Sequence, residues 1–341
     1  MPASIMRSTV EALLAPGKGL LAADESLKTI GKRFEALGIA CTEESRRNYR
    51  AMLITTPTLP EHISGVILYD ETLRQKVGDA LIPDVLSRSG VIPGIKVDKG
   101  TVALPSLPGE KVTEGLDGLR ERLAEYWRLG ARFTKWRAVI AVSAQLPSRA
   151  CIDANTQALA RFAALCQEAS LVPIIEPEVL MDGNHTLQRC EEVTTRVLSN
   201  LFDHLSEYQV SLEKMILKTG MVLPGRDSPD TAPDWEVAEG TLRCLRRSVP
   251  SAVPGIVFLS GGQSSVAATA RLNAICAMGR APWTLSFSFG RALQNDAMAA
   301  WRGLAANVPA AQDALRHRTE CNGLAVQGKY SSQIERASPL D

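Results

Sequence analysis

Met215-Ile216-Leu217 is an apolar run of the kind that forms a buried strand, and the residue that follows it is Lys218. A lysine removed from solvent is costly to keep charged, so it tends to give up its proton and become an amine nucleophile. The same anomaly recurs along the chain. Other short apolar runs end in Asp24, Lys96, Lys135 and Glu176, with Glu178 two residues further on, and two later runs end in glycine-bearing turns at Gly261 and Gly290. An amine that attacks a ketone must lose water to become an iminium, a step that needs a nearby acid, for which Glu176 is the candidate. The iminium withdraws electrons, so the bond beside the adjacent carbon can break, and Asp24 is placed to accept the proton of the hydroxyl beyond it. Three lysines facing one another are expected to lower each other's proton affinity, leaving Lys218, with the most apolar flank, as the nucleophile.

Taken singly, each position has an ordinary explanation. A lysine at a strand end usually has a packed stem and a solvated head, and a carboxylate before a helix is usually a cap. Recurrence across five runs is what argues for a site. The glycine turns add a second requirement: Ser260-Gly261-Gly262-Gln263-Ser264 follows one run and Ser288-Phe289-Gly290-Arg291 the next. Backbone N–H groups in such turns, with a helix N-terminus behind them, suit a phosphate, and Arg291 adds a charge-assisted contact. Ser26, Lys96 and Arg137 supply groups for a second phosphate at the opposite side. A sugar with a phosphate at each end is a coherent ligand for both.

The elements that must position these groups alternate. Strand-like runs are predicted at 19–24, 65–70, 94–98, 132–137, 172–178, 215–219, 256–261 and 284–290, several of them almost continuously apolar, as parallel strands covered on both faces are. Between them, Trp235, Ala238, Leu242, Leu245 and Val249 recur at helical spacing, and Leu187, Cys190, Leu198, Leu201 and Leu205 trace a longer stripe. Leu116, Leu119 and Leu123 begin another, which ends near Gly130. Eight strands with intervening helices predict an α/β fold, a single-domain (β/α)8 TIM barrel over residues 1–330, with a polar, mobile tail at 331–341. In such barrels the site gathers at the C-terminal ends of the strands, where these residues fall.

Composition bounds the function. Of 341 residues, 45% are apolar and 22% charged, ordinary for a globular chain with a full core, and the formal charge of +1 argues against nucleic-acid binding. Seven cysteines without a close CxxC pair fit reduced thiols and a cytoplasmic setting, and no segment reads as a signal peptide or a membrane span. The four histidines, His62, His185, His204 and His317, are far apart and end no predicted strand, so neither a metal nor another cofactor is expected.

Leu20 to Ser26, Gly94 to Gly100, Lys135-Trp136-Arg137, Glu176-Pro177-Glu178 and Leu259 to Ser264 together resemble class I fructose-bisphosphate aldolase, and the likeness runs from about residue 15 to Tyr330. The resemblance implies a metal-independent barrel that cleaves fructose 1,6-bisphosphate reversibly to dihydroxyacetone phosphate and glyceraldehyde 3-phosphate. It implies Lys218 as the Schiff-base lysine, Glu176 as its acid/base, and Asp24 and Lys135 as helpers in carbon–carbon cleavage. Glu178 then supports the lysine pair. Ser260, Gly261 and Arg291 then serve the ketone-side phosphate and Ser26, Lys96 and Arg137 line the other end, with Ser288 and Gly290 of the second turn as further substrate-binding candidates. A homotetramer is also implied. Two departures stand out. Thr219-Gly220 follows the reactive lysine where the family has Pro-Asn, and the chain ends in Pro339-Leu340-Asp341 without the terminal tyrosine of animal members. Cleavage is expected to survive, with enamine protonation slowed or routed through another group. A Schiff-base aldolase for another sugar phosphate, such as sedoheptulose 1,7-bisphosphate or fructose 1-phosphate, and a non-catalytic scaffold are the competing readings.

Overall fold

In the computed structural model, which describes residues 2–279 and 281–335, all eight predicted runs are strands of one closed parallel barrel. They are β1 (Gly19–Ala23), β2 (Ile63–Leu68), β3 (Ile92–Lys96), β4 (Phe133–Ile140), β5 (Val172–Val179), β6 (Ile216–Thr219), β7 (Gly255–Phe258) and β8 (Thr284–Phe289). Each pairs with its sequence neighbours, and β1 closes the ring against β8 through Leu20↔Ser288 and Leu21↔Phe289. Continuous burial of β1, β2, β6 and β7 explains their unbroken apolar runs: one face looks into the barrel and the other meets the helices.

Inside the barrel, Leu20, Ile67, Phe133, Ile174, Ile216 and Val257 fill the lower half. The N-terminal helix Pro2–Leu13 stoppers that end with Met6, Val10, Leu13 and Leu14. Glycine at two strand positions makes room for it. A Cβ on Gly65 would lie 2.6 Å from Leu13, and one on Gly255 2.4 Å from Leu14. Each of these buried aliphatic side chains contributes about 1.5–3 kcal/mol relative to exposure, so the stopper is firmly held.

The outer helices bury most of the predicted stripes, with Leu187 half-buried, Leu116 lying before the start of its helix and Trp235 exposed. Helix Leu187–Glu207 buries Cys190, Leu198, Leu201 and Leu205, and helix Leu119–Arg128 ends before Gly130, whose φ is +98°. In helix Asp234–Ser248, however, the buried face runs through Val237, Ala238, Thr241, Leu242 and Leu245, and Trp235 in the first turn is 60% exposed. The polar segment after Tyr330 begins with a short helix, Ser332–Glu335, and Glu335 is ion-paired with Arg318 and accepts a hydrogen bond from Tyr330 Oη at 2.6 Å. Positions 336–341 of the expected tail lie outside the described residues.

Candidate active site

Side chains alternate along a strand, so residues two apart share a face. That spacing turns Lys135 and Arg137 of β4 inward together, and likewise Glu176 and Glu178 of β5. Lys218 of β6 and Asp24, one residue beyond β1, complete a buried cage: Lys135, Lys218 and Glu176 are each 3% exposed and Asp24 9%. Lys135 Nζ lies 2.6 Å from Asp24 Oδ2 and 3.3 Å from Glu176 Oε2, while Lys218 Nζ lies 3.2 Å from Glu176 Oε1. One carboxylate therefore serves two ammonium groups. Glu176 Oε2 is near Lys135 as a charge but accepts no hydrogen bond among the described residues, which leaves a buried oxygen with bonding capacity to spare.

Burial opposes the charges of Asp24, Glu176 and Lys135, and the opposite charges win. For Asp24, burial pushes upward, but Lys135 and Lys218 bring the carboxyl down from 3.8 to about 2. Glu176 is also held below the usual glutamate range, since the two lysines and Arg137 outweigh its burial. Lys135 departs from the expectation of mutually depressed lysines. Burial lowers it, yet Asp24, Glu176 and Asp98 raise it above the ordinary lysine range. For Lys135, the carboxylates beside it reverse the sign that neighbouring ammonium groups alone would have produced.

Around this cage the other candidates take separate places. Lys96, the last residue of β3, pairs with Asp98 and donates to the Asp98 carbonyl at 2.9 Å. Glu178 pairs with Arg137 rather than with the two buried lysines. Ser26 caps helix Leu27–Glu35, its Oγ accepting from Thr29 N at 3.4 Å, and bonds no member of the cage. Ser260 and Gly261 follow β7, with Ser260 buried and Gly261 at φ +59°. Ser288 sits within β8, 1% exposed, its Oγ without a hydrogen-bond partner among the described residues. Gly290 is the N-cap of helix Arg291–Trp301, and Arg291 is exposed at its first position. No side chain caps that helix, and it begins just beyond β8, the strand paired with the one that leads into the Ser260-Gly261 turn.

Two supports escaped the sequence reading. Asp98 accepts from Arg137 N at 3.2 Å and from Gly100 N at 3.1 Å while holding Lys96, so it rivets the end of β3 to β4. Its spacing of two from Lys96 was the available signal. Behind Asp24, buried Arg50 donates to Ala23 O and pairs with Glu25 at 2.9 Å, which fixes the end of β1. Only tertiary packing brings Arg50 there.

A closed (β/α)8 barrel with a neutral cage of two lysines and two carboxylates at the C-terminal ends of its strands belongs to the enzyme-type barrels, whose chemistry sits at that end. Comparison with known proteins narrows the class. The family model "Fructose-bisphosphate aldolase class-I" matches residues 5–339. A Xanthomonas axonopodis pv. citri protein named "Probable fructose-bisphosphate aldolase class 1" is 52% identical over 95% of this chain and 98% of its own. "Fructose-bisphosphate aldolase, cytoplasmic isozyme 2" of Pisum sativum is 51% identical over 92% of this chain and 88% of its own. In solved structures, Plasmodium falciparum fructose-bisphosphate aldolase, in complex with TRAP and a small-molecule inhibitor, superposes with a TM-score of 0.95 at 46% identity, covering 97% of this chain and 96% of that one. The chain belongs to the class I fructose-bisphosphate aldolase family.

Proposed function

We propose that this chain cleaves fructose 1,6-bisphosphate reversibly to dihydroxyacetone phosphate and glyceraldehyde 3-phosphate through an imine on Lys218. The observation that carries the reading is Glu176 set between the two buried lysines, 3.2 Å from Lys218 Nζ and 3.3 Å from Lys135 Nζ. Lys218 must shed a proton before it can attack the ketone, and Glu176 Oε1 is within reach to take it. The same carboxyl then returns that proton to the carbinolamine hydroxyl, which leaves as water and gives the iminium. Asp24, ionised and held by Lys135, receives the proton of the C4 hydroxyl. The electrons of the C3–C4 bond flow into the iminium, leaving an enamine on Lys218 and free glyceraldehyde 3-phosphate.

In this reading the turn at Ser260-Gly261, with Ser288, Gly290 and Arg291, receives the ketone-side phosphate. Lys96 and Arg137, each already oriented by a carboxylate, face the other phosphate with Ser26 near them. The protein works as a cytoplasmic homotetramer; the pea relative, named a cytoplasmic isozyme, supports the first part. The experiment is borohydride trapping with fructose 1,6-bisphosphate in the presence of a chelator, followed by peptide mass spectrometry. A reduced adduct on Lys218 is the expected result. A folded protein that binds the sugar phosphate and yields no adduct overturns the proposal in favour of a binding role.

A further inference from the structure

The loop that follows β6 brings a cation to the glycine turn that neither the sequence motifs nor the lysine cage account for. Three backbone hydrogen bonds strap this loop to the one after β5: Gly225 N to His185 O at 2.7 Å, Arg226 N to Met181 O at 2.7 Å, and Asp227 N to Gly183 O at 2.9 Å. The approach is so close that a Cβ on Gly225 would stand 2.2 Å from Gly183 O. Arg226 is thus rooted in a rigid double loop. Its guanidinium reaches across to the turn after β7 and occupies the space a side chain at 262 would need. A Cβ on Gly262 would meet Arg226 Nη2 at 2.5 Å and Met181 Cε at 3.5 Å. Gly262 is at φ +93°, a conformation that already favours glycine.

The charge at that spot is largely unspent. Its ion-pair partner among the described residues is Asp182, 3.7 Å away, and both side chains are more than half exposed, at 53% and 68%. A contact of that length and exposure holds a guanidinium only loosely, so the cation remains available to an anion. Ser260 and Gly261, the two residues before Gly262, are those assigned above to the ketone-side phosphate.

We propose that Arg226 is a substrate-binding residue that strengthens binding of the ketone-side phosphate from the β6 side of the turn, opposite Arg291. This rests on the reading of the turn as a phosphate site. Because no hydrogen bond or ion pair among the described residues joins Arg226 to the bond-breaking cage, its effect falls on substrate capture and not on the chemical step.

The test compares the parent with Arg226→Gln and Arg226→Lys in cleavage of fructose 1,6-bisphosphate and of fructose 1-phosphate, which keeps only the ketone-side phosphate. Expected for Arg226→Gln is a rise in KM of about 3–10-fold for both substrates, with kcat changed less than about twofold, and a weaker dependence of KM on ionic strength. Arg226→Lys restores most of the lost affinity. Calorimetric titration with inorganic phosphate reads the same contact without chemistry, and the variant is expected to bind it several-fold more weakly. Equal phosphate affinity in parent and Arg226→Gln, with only a lower melting temperature, overturns the proposal and leaves Arg226 a tie between loops. Absence of cleavage by the parent refutes the aldolase reading separately, and the phosphate titration still decides the role of Arg226.

Discussion

Replacing Glu176 by glutamine isolates the most consequential contact in the site. The change keeps volume and shape but removes the single charge shared by two ammonium groups. At 3.2 and 3.3 Å and an effective dielectric of ~20, each contact carries about 5 kcal/mol of Coulomb attraction. Most of that is offset in the parent by the cost of burying the ions, so the net loss of stability is a few kcal/mol. Catalysis suffers more. Without a carboxyl to carry a proton from Lys218 to the carbinolamine hydroxyl, dehydration is expected to slow by about 10²–10⁴-fold, which is about 3–5 kcal/mol of barrier. The assay is single-turnover mixing with fructose 1,6-bisphosphate, quenched into borohydride at timed intervals, with the adduct on Lys218 counted by mass spectrometry. Circular dichroism on the same sample confirms that the variant is folded. Adduct accumulating at the parent rate in folded Glu176→Gln would falsify the proton-shuttle argument, whatever the steady-state activity.

Acid sensitivity gives an independent check on the cage. Asp24 is depressed from 3.8 to about 2, so its stabilising contribution is fully present above about pH 4 and is lost as pH falls through 2. The shift corresponds to about 2 kcal/mol. Urea unfolding at pH 5, 3 and 2 should therefore show a shallower acid slope in Asp24→Asn than in the parent; identical slopes would contradict the assignment. Gly262→Ala should cost about 1–2 kcal/mol through its φ of +93°, and should raise KM by displacing Arg226. An unchanged KM in that variant would mean that the guanidinium finds its position without the space at Gly262.

The barrel was legible because its strands are covered on both faces, so each appears as an unbroken apolar run, and an ionisable residue at its end is conspicuous. All eight runs are barrel strands, and the two-residue spacing of Lys135 with Arg137 and of Glu176 with Glu178 gave their shared face directly. What a linear reading lacks is the neighbour across strands. It placed three lysines together and inferred mutual repulsion, but the proton affinity of Lys135 is set by Asp24, 111 residues away in sequence and 2.6 Å away in space. The same blindness hid Arg50 behind β1 and Arg226 over Gly262, both ordinary surface-type residues until packing aims them. Trp235 failed for a related reason: helical spacing identifies a stripe, and only the barrel wall decides where along the helix burial starts.

The side chains that fill the lower half of the barrel, with the stopper of Met6, Val10, Leu13 and Leu14 beneath them, make it a cul-de-sac. Nothing can pass through it, so substrate, both products and exchanging water share one mouth. A departing three-carbon product and an arriving six-carbon sugar therefore contend for the same doorway, and a product still in its seat bars the next turnover. Traffic through that mouth is sequential by construction, a limit imposed at the end of the barrel farthest from the chemistry.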